Sequence, residues 1–460
     1  MVVKESEVCG GGLEWRINFP DGTSKILVPH HHTISKTRFC RILHAFFVEG
    51  LFSKIYGFFR EAWRLGMDDP KKFFHCFKVG IALSLVSLFY YMRPLYQGVG
   101  GNAMWAVLTV VVVFEYTVGA TLCKCLNKAT ATFLAGALGI GVHWIGSHFG
   151  EKLQPIFLQG SVFVLAAAAT FTRFMPSVKA RFDYGVLIFI LTFSLVSVSG
   201  FRVGKLFEFA SHRLSTIAIG TSICILTSIL FCPVWAGEEL HNLIQTNMEK
   251  LADSLDECVA EYFRKDARSE ASNKISVGYR CVLNSRATEE SLANFARWEP
   301  AHGGFNFGHP WKEYRKVGAS LRSCAYHIEV LNGSINAGTK APDFLKKHFS
   351  KFCMKLSSSS SAVLKELVFV THTMTRSAKI DIIVEEMRSA VEELQIVLKS
   401  LITQPINAST NINIGNEESD ASNTSMSLIE IAPLVTLSSL LIEIAARTED
   451  IAKAVNELAN

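Results

Sequence analysis

Seven ionisable side chains fall where the sequence is otherwise apolar. Lys78 sits inside the run FHCFKVGIALSLVSLFYYM, and Glu115 directly follows Val110–Phe114. Lys124 and Lys128 precede a third apolar run, Arg173 closes a fourth, Arg202 closes a fifth and Arg213 opens a sixth. A charge at the centre of a bilayer costs at least about 2.5–3.5 kcal/mol, so such groups usually face a water-filled path or a partner. Six of the seven are basic, and rings of Lys and Arg around a path lower the barrier for anions while raising it for cations. The chemistry within reach of this set is therefore selective passage of anions, with Lys78, Lys128, Arg202 and Arg213 as its first candidates. Lys124, Lys128 and Arg173 fit equally as snorkelling anchors whose stems carry the charge to the interface. Lys78 lies deeper. Glu115 reads either as a gate or selectivity element or as the charge partner of a nearby Lys or Arg.

No residue set with catalytic spacing competes with this reading. His143 and His148 stand five apart with no Asp, Cys or further His at ligand spacing, and beside Trp144 they suit an interfacial belt. There is no G-x-x-x-x-G-K-[ST] loop to drive ATP-powered pumping, and Gly98, Gly100 and Gly101 follow no strand that would make them a dinucleotide fingerprint. The nucleophile elbow G-x-S-x-G is absent too. Cys123 and Cys125 form a lone C-x-C among eleven scattered cysteines, which points to reduced thiols and a largely cytosolic exposure. The triplet His30–His32 reads as a solvated arm rather than a metal site, so no cofactor and no metal are expected. A net charge of +5, with no basic helix interleaved with aromatics, excludes nucleic acid as a partner.

The elements that must position these charges are membrane spans. The chain has 460 residues, of which 49% are apolar and only 19% charged; an ordinary soluble domain carries about 25% charge. A spanning helix needs about 20 mostly apolar residues, and six candidates follow one another at 74–92, 103–119, 129–148, 155–172, 184–200 and 214–235. Lys and Arg in the short loops favour both termini in the cytosol. Arg202, Lys205 and Arg213 oppose that bias, which itself argues for a functional reason to keep them. Residues 1–40 read as a loop without a cleavable signal, and 41–66 as an amphipathic helix on the membrane surface.

After Trp235 the pattern becomes that of a soluble helical protein. Helices are expected over 237–265, 311–331, 342–356, 358–372 and 378–402, then a mobile Asn/Ser/Thr-rich linker over 403–426, then a last helix through 428–458. The spacing in that last helix fits core packing better than a coiled-coil seam. The fold class is all-α: a cytosolic arm and surface helix (1–66), a six-span domain (67–236), a cytosolic helical domain (237–402), the linker (403–426) and a C-terminal helix packing back on that domain (427–460).

Several separated stretches resemble one family. They are Gly101–Leu122 (GNAMWAVLTVVVVFEYTVGATL), the Lys78-Val-Gly-Ile-Ala-Leu run, Phe182-Asp183-Tyr184-Gly185-Val186, Pro233-Val-Trp235-Ala-Gly237-Glu-Glu-Leu-His241, and Asn294-Phe-Ala-Arg-Trp298-Glu299-Pro300 followed by Tyr314-Arg-Lys-Val-Gly318. In this order they are similar to the aluminium-activated malate transporter family of plants over roughly residues 65–335. The resemblance implies six spans, a cytosolic helical domain, assembly as a homodimer among membrane lipids, and passive, voltage-dependent conduction of malate, other organic anions, chloride or nitrate. It aligns the family's basic pore positions with Lys78, Lys128, Arg202 and Arg213, and its acidic position with Glu115. The short 403–426 linker and the early end after the last helix depart from longer members; they tilt localisation to the plasma membrane over the vacuolar membrane and away from long phosphorylated tails. Trp298, Glu299 and Pro300 are assigned to packing of the soluble domain. The rival readings are an organic- or aromatic-acid exporter working by alternating access, and a non-conducting membrane scaffold.

Overall fold

The structure, a computed structural model, describes residues 15–18, 24–27, 53–92, 103–150, 152–200, 206–264, 278–306, 308–337, 341–410 and 428–459. Arg202 and His30–His32 lie outside the described residues. The chain divides into two compact units, Met1–Phe73 and Phe74–Asn460.

In the first unit, β1 (Trp15–Asn18) pairs antiparallel with β2 (Ser24–Leu27), Trp15 opposite Leu27 and Asn18 opposite Ser24. The sequence reading expected a loop here. Four-residue strands on either side of Pro20-Asp21-Gly22 are short enough to escape a periodicity count. A helix α1 over 53–68 overlaps the later part of the surface helix expected over 41–66; residues 41–52 lie outside the described residues. Its Phe58, Phe59, Trp63 and Met67 are all well exposed, as an apolar face meant for an interface would be.

The membrane part of the second unit is built from α2 (Pro70–Tyr91), α3 (Ala103–Val113), α4 (Val118–Ser147), α5 (Gln154–Thr172), α6 (Pro176–Gly200) and α7 (Leu206–Leu230). Its dry centre is Ala82, Val86, Ala106, Val110, Val113, Phe114, Cys125 and Cys224. Phe77, Met104, Phe133, Phe163, Val164, Phe171 and Leu230 are exposed on its outside. A soluble protein would not leave such a patch facing water; lipid or a second chain is its natural cover.

The expected second span is where the reading of the sequence and the structure part. The helix ends at Val113, after 11 residues, and a new one of 30 residues starts at Val118. Thr117 ends the break as a cap, its side chain accepting from the Ala120 N–H at 3.3 Å, while the Val118 N–H donates to Val234 O at 2.9 Å. Thr121 Oγ1 receives the Glu115 N–H at 3.1 Å. Only Glu115, Tyr116 and Thr117 interrupt the apolar run here, and the polar contacts they and their neighbours make set the break. Lys124 and Lys128 consequently lie inside a helix, and Glu115 lies in the break.

Beyond Trp235 come α8 (Ala236–Phe263), a short α9 over 278–283, α10 (Arg286–Ala296), α11 (Trp311–Asn336), α12 (Asp343–Thr373), α13 (Ala378–Thr410) and α14 (Leu428–Ala459). They enclose one core, with Leu240, Ile244, Tyr314, Leu321, Leu364, Leu441 and Val455 fully or nearly fully buried. Among the described residues six helices are long and apolar enough to cross a membrane; five are α2 and α4–α7, and the sixth, within α14, is instead packed against α11 and α12 in this core. The break expected between 356 and 358 is absent, because α12 runs straight through its serines. Ser357 Oγ donates to Asp256 Oδ1 and Ser361 Oγ to Ala252 O, both at 2.9 Å, so hydroxyls that would favour a turn are satisfied by α8. Helix α13 likewise continues to Thr410, into the segment read as linker.

Candidate functional site

Three of the basic residues singled out in the sequence are buried in the membrane part. Lys78 on α2 is 1% exposed, Arg213 on α7 6% and Lys128 on α4 7%. None forms an ion pair among the described residues. Lys78 Nζ donates to Cys232 O at 3.2 Å, at the turn where the left-handed backbone of Cys232 ends the last span. The Arg213 guanidinium lies 4.1 Å from the centroid of the Trp105 ring on α3, and its Nε and Nη1 are buried with no acceptor among the described residues. Stacking on an aromatic face holds the planar cation while leaving its N–H edge free. Lys128 and Arg213 are within Coulombic reach of each other.

At a rise of about 1.5 Å per residue, these groups fall at successive depths. Lys128 lies about 15 Å along α4 from its start, and Arg213 about 26 Å from the Leu230 end of α7. Both of those helix ends adjoin the C-terminal helical domain. Hydroxyls of Thr132, Tyr184, Ser197 and Ser228 are also buried in this part without a partner among the described residues. A bundle packed for dryness alone would leave few such groups.

The other candidates are paired. Lys124 forms an ion pair with Glu115, and its ammonium also lies 5.5 Å from the Tyr184 ring. Arg173 binds both oxygens of Asp183, at 2.7 and 3.2 Å, bridging the turn between α5 and α6. These pairs are one-third exposed, and neither places its cation in the buried group formed by Lys128 and Arg213.

Glu299, assigned from the sequence to domain packing, also ties two helix starts together. Its carboxylate, 1% exposed, accepts three backbone hydrogen bonds: from Gly119 N at 3.0 Å, Ala236 N at 2.6 Å and Gly237 N at 3.0 Å. Gly119 is the second residue of α4 and Ala236 the first of α8, so the unpaired N–H groups of two helix starts converge on one anion. Burial pushes the Glu299 carboxyl up from its ordinary range, and the three N–H donors pull against that shift by favouring the ionised form. Trp298-Glu299-Pro300 thus joins the helix that carries Lys124 and Lys128 to the core of the C-terminal helices. A Cβ at residue 119 would come within 2.4 Å of Phe295 O, and one at residue 237 within 2.4 Å of the Trp311 ring, so both positions require glycine. One cue was present in the sequence: Trp235 sits at the N-cap of α8 and has no side-chain acceptor to cap it. Behind the carboxylate, His302 stacks on Trp235 with centroids 3.9 Å apart, its Nε2 4.0 Å from Glu299 Oε2.

With this geometry in hand, comparison with known proteins is decisive. A family profile described as "Aluminium activated malate transporter" matches residues 63–425. The chain is 54% identical to aluminum-activated malate transporter 10 of Arabidopsis thaliana, with 98% of this chain and 94% of that protein aligned. The chain belongs to the aluminium-activated malate transporter family. It is also 47% identical to Arabidopsis aluminum-activated malate transporter 2 over 87% of its length and 77% of that protein. To aluminum-activated malate transporter 1 of wheat, Triticum aestivum, it is 39% identical over 91% of its length and 89% of that protein. Membership, the apolar helices and the buried cations agree on a multi-pass membrane protein. The joint at Glu299 and the buried cations both fall inside the stretch that the family profile matches.

Proposed function

We propose that this chain is a passive anion channel, carrying malate and other organic or inorganic anions, chloride and nitrate among them, along a path lined by Lys78, Lys128, Arg213 and Arg202. The observation that carries this reading is the set of buried basic side chains, Lys78, Lys128 and Arg213, with no carboxylate partner among the described residues. Burying an unpaired cation in an apolar bundle is costly, and a mobile anion offsets that cost while it resides there. A dicarboxylate such as malate can contact two cations at once, as the Lys128–Arg213 neighbourhood allows. Partial satisfaction by the Trp105 face and by Cys232 O keeps each site weak enough for the ion to leave. Glu115 then acts by neutralising Lys124 near the C-terminal-domain end of the path, rather than as a selectivity element.

Further parts of the reading rest on the family and the charge pattern. The path forms in a homodimer, whose partner covers part of the exposed apolar surface. Both termini and the C-terminal helical domain face the cytosol, and the plasma membrane is favoured over the vacuolar membrane. The functional assay is voltage clamp of oocytes loaded with malate, with external chloride and nitrate varied. A reversal potential that tracks the anion gradients supports the channel. A small, saturating flux with no conductance would support the alternating-access exporter instead.

A further inference from the structure

A cavity of about 400 Å³ opens directly beside the Glu299 joint. Its walls come from the end of α10, the following turn and the start of α11, and include Arg297, His302, Asn306, His309 and Lys312. That size is typical of small-molecule sites and accommodates a four-carbon dicarboxylate. Two acidic residues also line it, and both are engaged: Glu299 by its three backbone donors, and Glu313 by Lys316 at 2.7 Å. Arg297 and Lys312 form no ion pair among the described residues. His302 Nδ1 hydrogen-bonds Pro300 O at 2.8 Å, which leaves Nε2 buried, 4.0 Å from Glu299 Oε2 and without a hydrogen bond among the described residues. His309 Nε2 is taken by the Tyr314 hydroxyl at 3.2 Å, leaving Nδ1. Arg297 is further crowded by like charge: burial first, then Arg181 and Arg315, pull its pKa below the usual arginine value. An anion beside it relieves that crowding.

We propose that this cavity is a second anion site, distinct from the membrane path, which takes a small dianion (a dicarboxylate or phosphate) between Arg297 and Lys312. Glu299 and Pro300 are part of its lining. An occupant that fixes the turn from Arg297 to His309 therefore also fixes the carboxylate on the starts of α4 and α8. Occupancy in the soluble domain is in this way transmitted to the helix that carries Lys124 and Lys128. The transmission rests on the channel reading; the binding does not.

The test is hydrogen–deuterium exchange with mass spectrometry on the full-length protein in lipid nanodiscs, with malate and with inorganic phosphate in separate runs. Exchange across residues 296–313 is expected to slow several-fold with at least one of the two, and which one does so identifies the class of ligand. The slowing should vanish in the Arg297→Gln/Lys312→Gln double variant. It should survive in Arg297→Lys/Lys312→Arg, which keeps the charges, and in Lys128→Ala, which alters only the membrane path. No slowing with either anion, or slowing that persists in the Gln double variant, overturns the site. Protection of 296–313 in a chain that passes no current would remove the channel reading and leave the site standing.

Discussion

Lys78, Lys128 and Arg213 differ in how their charge is held, so they should respond differently to substitution. Arg213 rests on Trp105 with a free N–H edge. Lysine keeps the charge but lacks the planar fork that stacks on the ring. Arg213→Lys is therefore expected to retain current with altered malate-to-chloride selectivity, whereas Arg213→Ala and Lys128→Ala cut it at least about tenfold, equivalent to about 1.4 kcal/mol on the barrier. Voltage clamp with surface protein quantified in parallel makes the measurement. Unchanged amplitude and selectivity in both alanine variants would take these residues out of the path. Arg173→Ala serves as the comparison, because that cation is already neutralised by Asp183 and its loss should leave selectivity intact.

At the scale of elements, the apolar runs were legible and their boundaries less so. Five of the six expected spans match long apolar helices because hydropathy reports burial in lipid directly. The second ends at Phe114–Thr117: the Thr117 cap and the Glu115–Thr121 bond are local and were overlooked, while the bond from Val118 N to Val234 O is long-range and no local pattern encodes it. The serines of α12 misled in the opposite direction: their partners Asp256 and Ala252 lie about a hundred positions earlier in the chain. Within the candidate site, burial of Lys78, Lys128 and Arg213 followed from the cost of charge in apolar surroundings. The pairing of Glu115 was one of two readings left open. Glu299 was assigned only to packing of the C-terminal domain; its hold on two helix starts was not legible, since its donors lie 63, 62 and 180 residues away. Two variants test the joint. Gly119→Ala places a Cβ 2.4 Å from Phe295 O and should lower the thermal midpoint and the current together. Glu299→Gln removes the charge and leaves at least one N–H without an acceptor, a loss of about 1–3 kcal/mol. A melting curve and current identical to wild type in Glu299→Gln would show that the joint does not hold the domains.

For the molecule as a whole, the C-terminal domain should lose stability in acid through His241. Burial, then the charges of His309 and His372, push its pKa down to about 4, while its imidazole is held by Tyr314 at 2.8 Å and Gln245 at 2.9 Å. The unfolded chain protonates at the ordinary value near 6.5. Between about 6.5 and 4 it therefore binds more protons than the folded one, so the His241 contribution is complete above that window and is lost as pH falls through it. Thermal melts from pH 7.5 to 4.5 should show this decline, and His241→Asn should flatten it; a profile unchanged by the substitution would rule His241 out. A second test of the same core concerns Glu289, buried against Arg322 and accepting from Ser285 at 2.6 Å. Glu289→Ala strands that arginine and is expected to cost about 3 kcal/mol or more, read as a fall in melting temperature. The Glu299 joint behaves differently under mutation, because every donor in it is main chain. No codon elsewhere can supply a compensating side chain for those three groups. A suppressor screen that starts from Glu299→Gln should therefore return revertants at position 299 itself, and a hunt for covarying partners among natural relatives should find that residue fixed without a correlated mate.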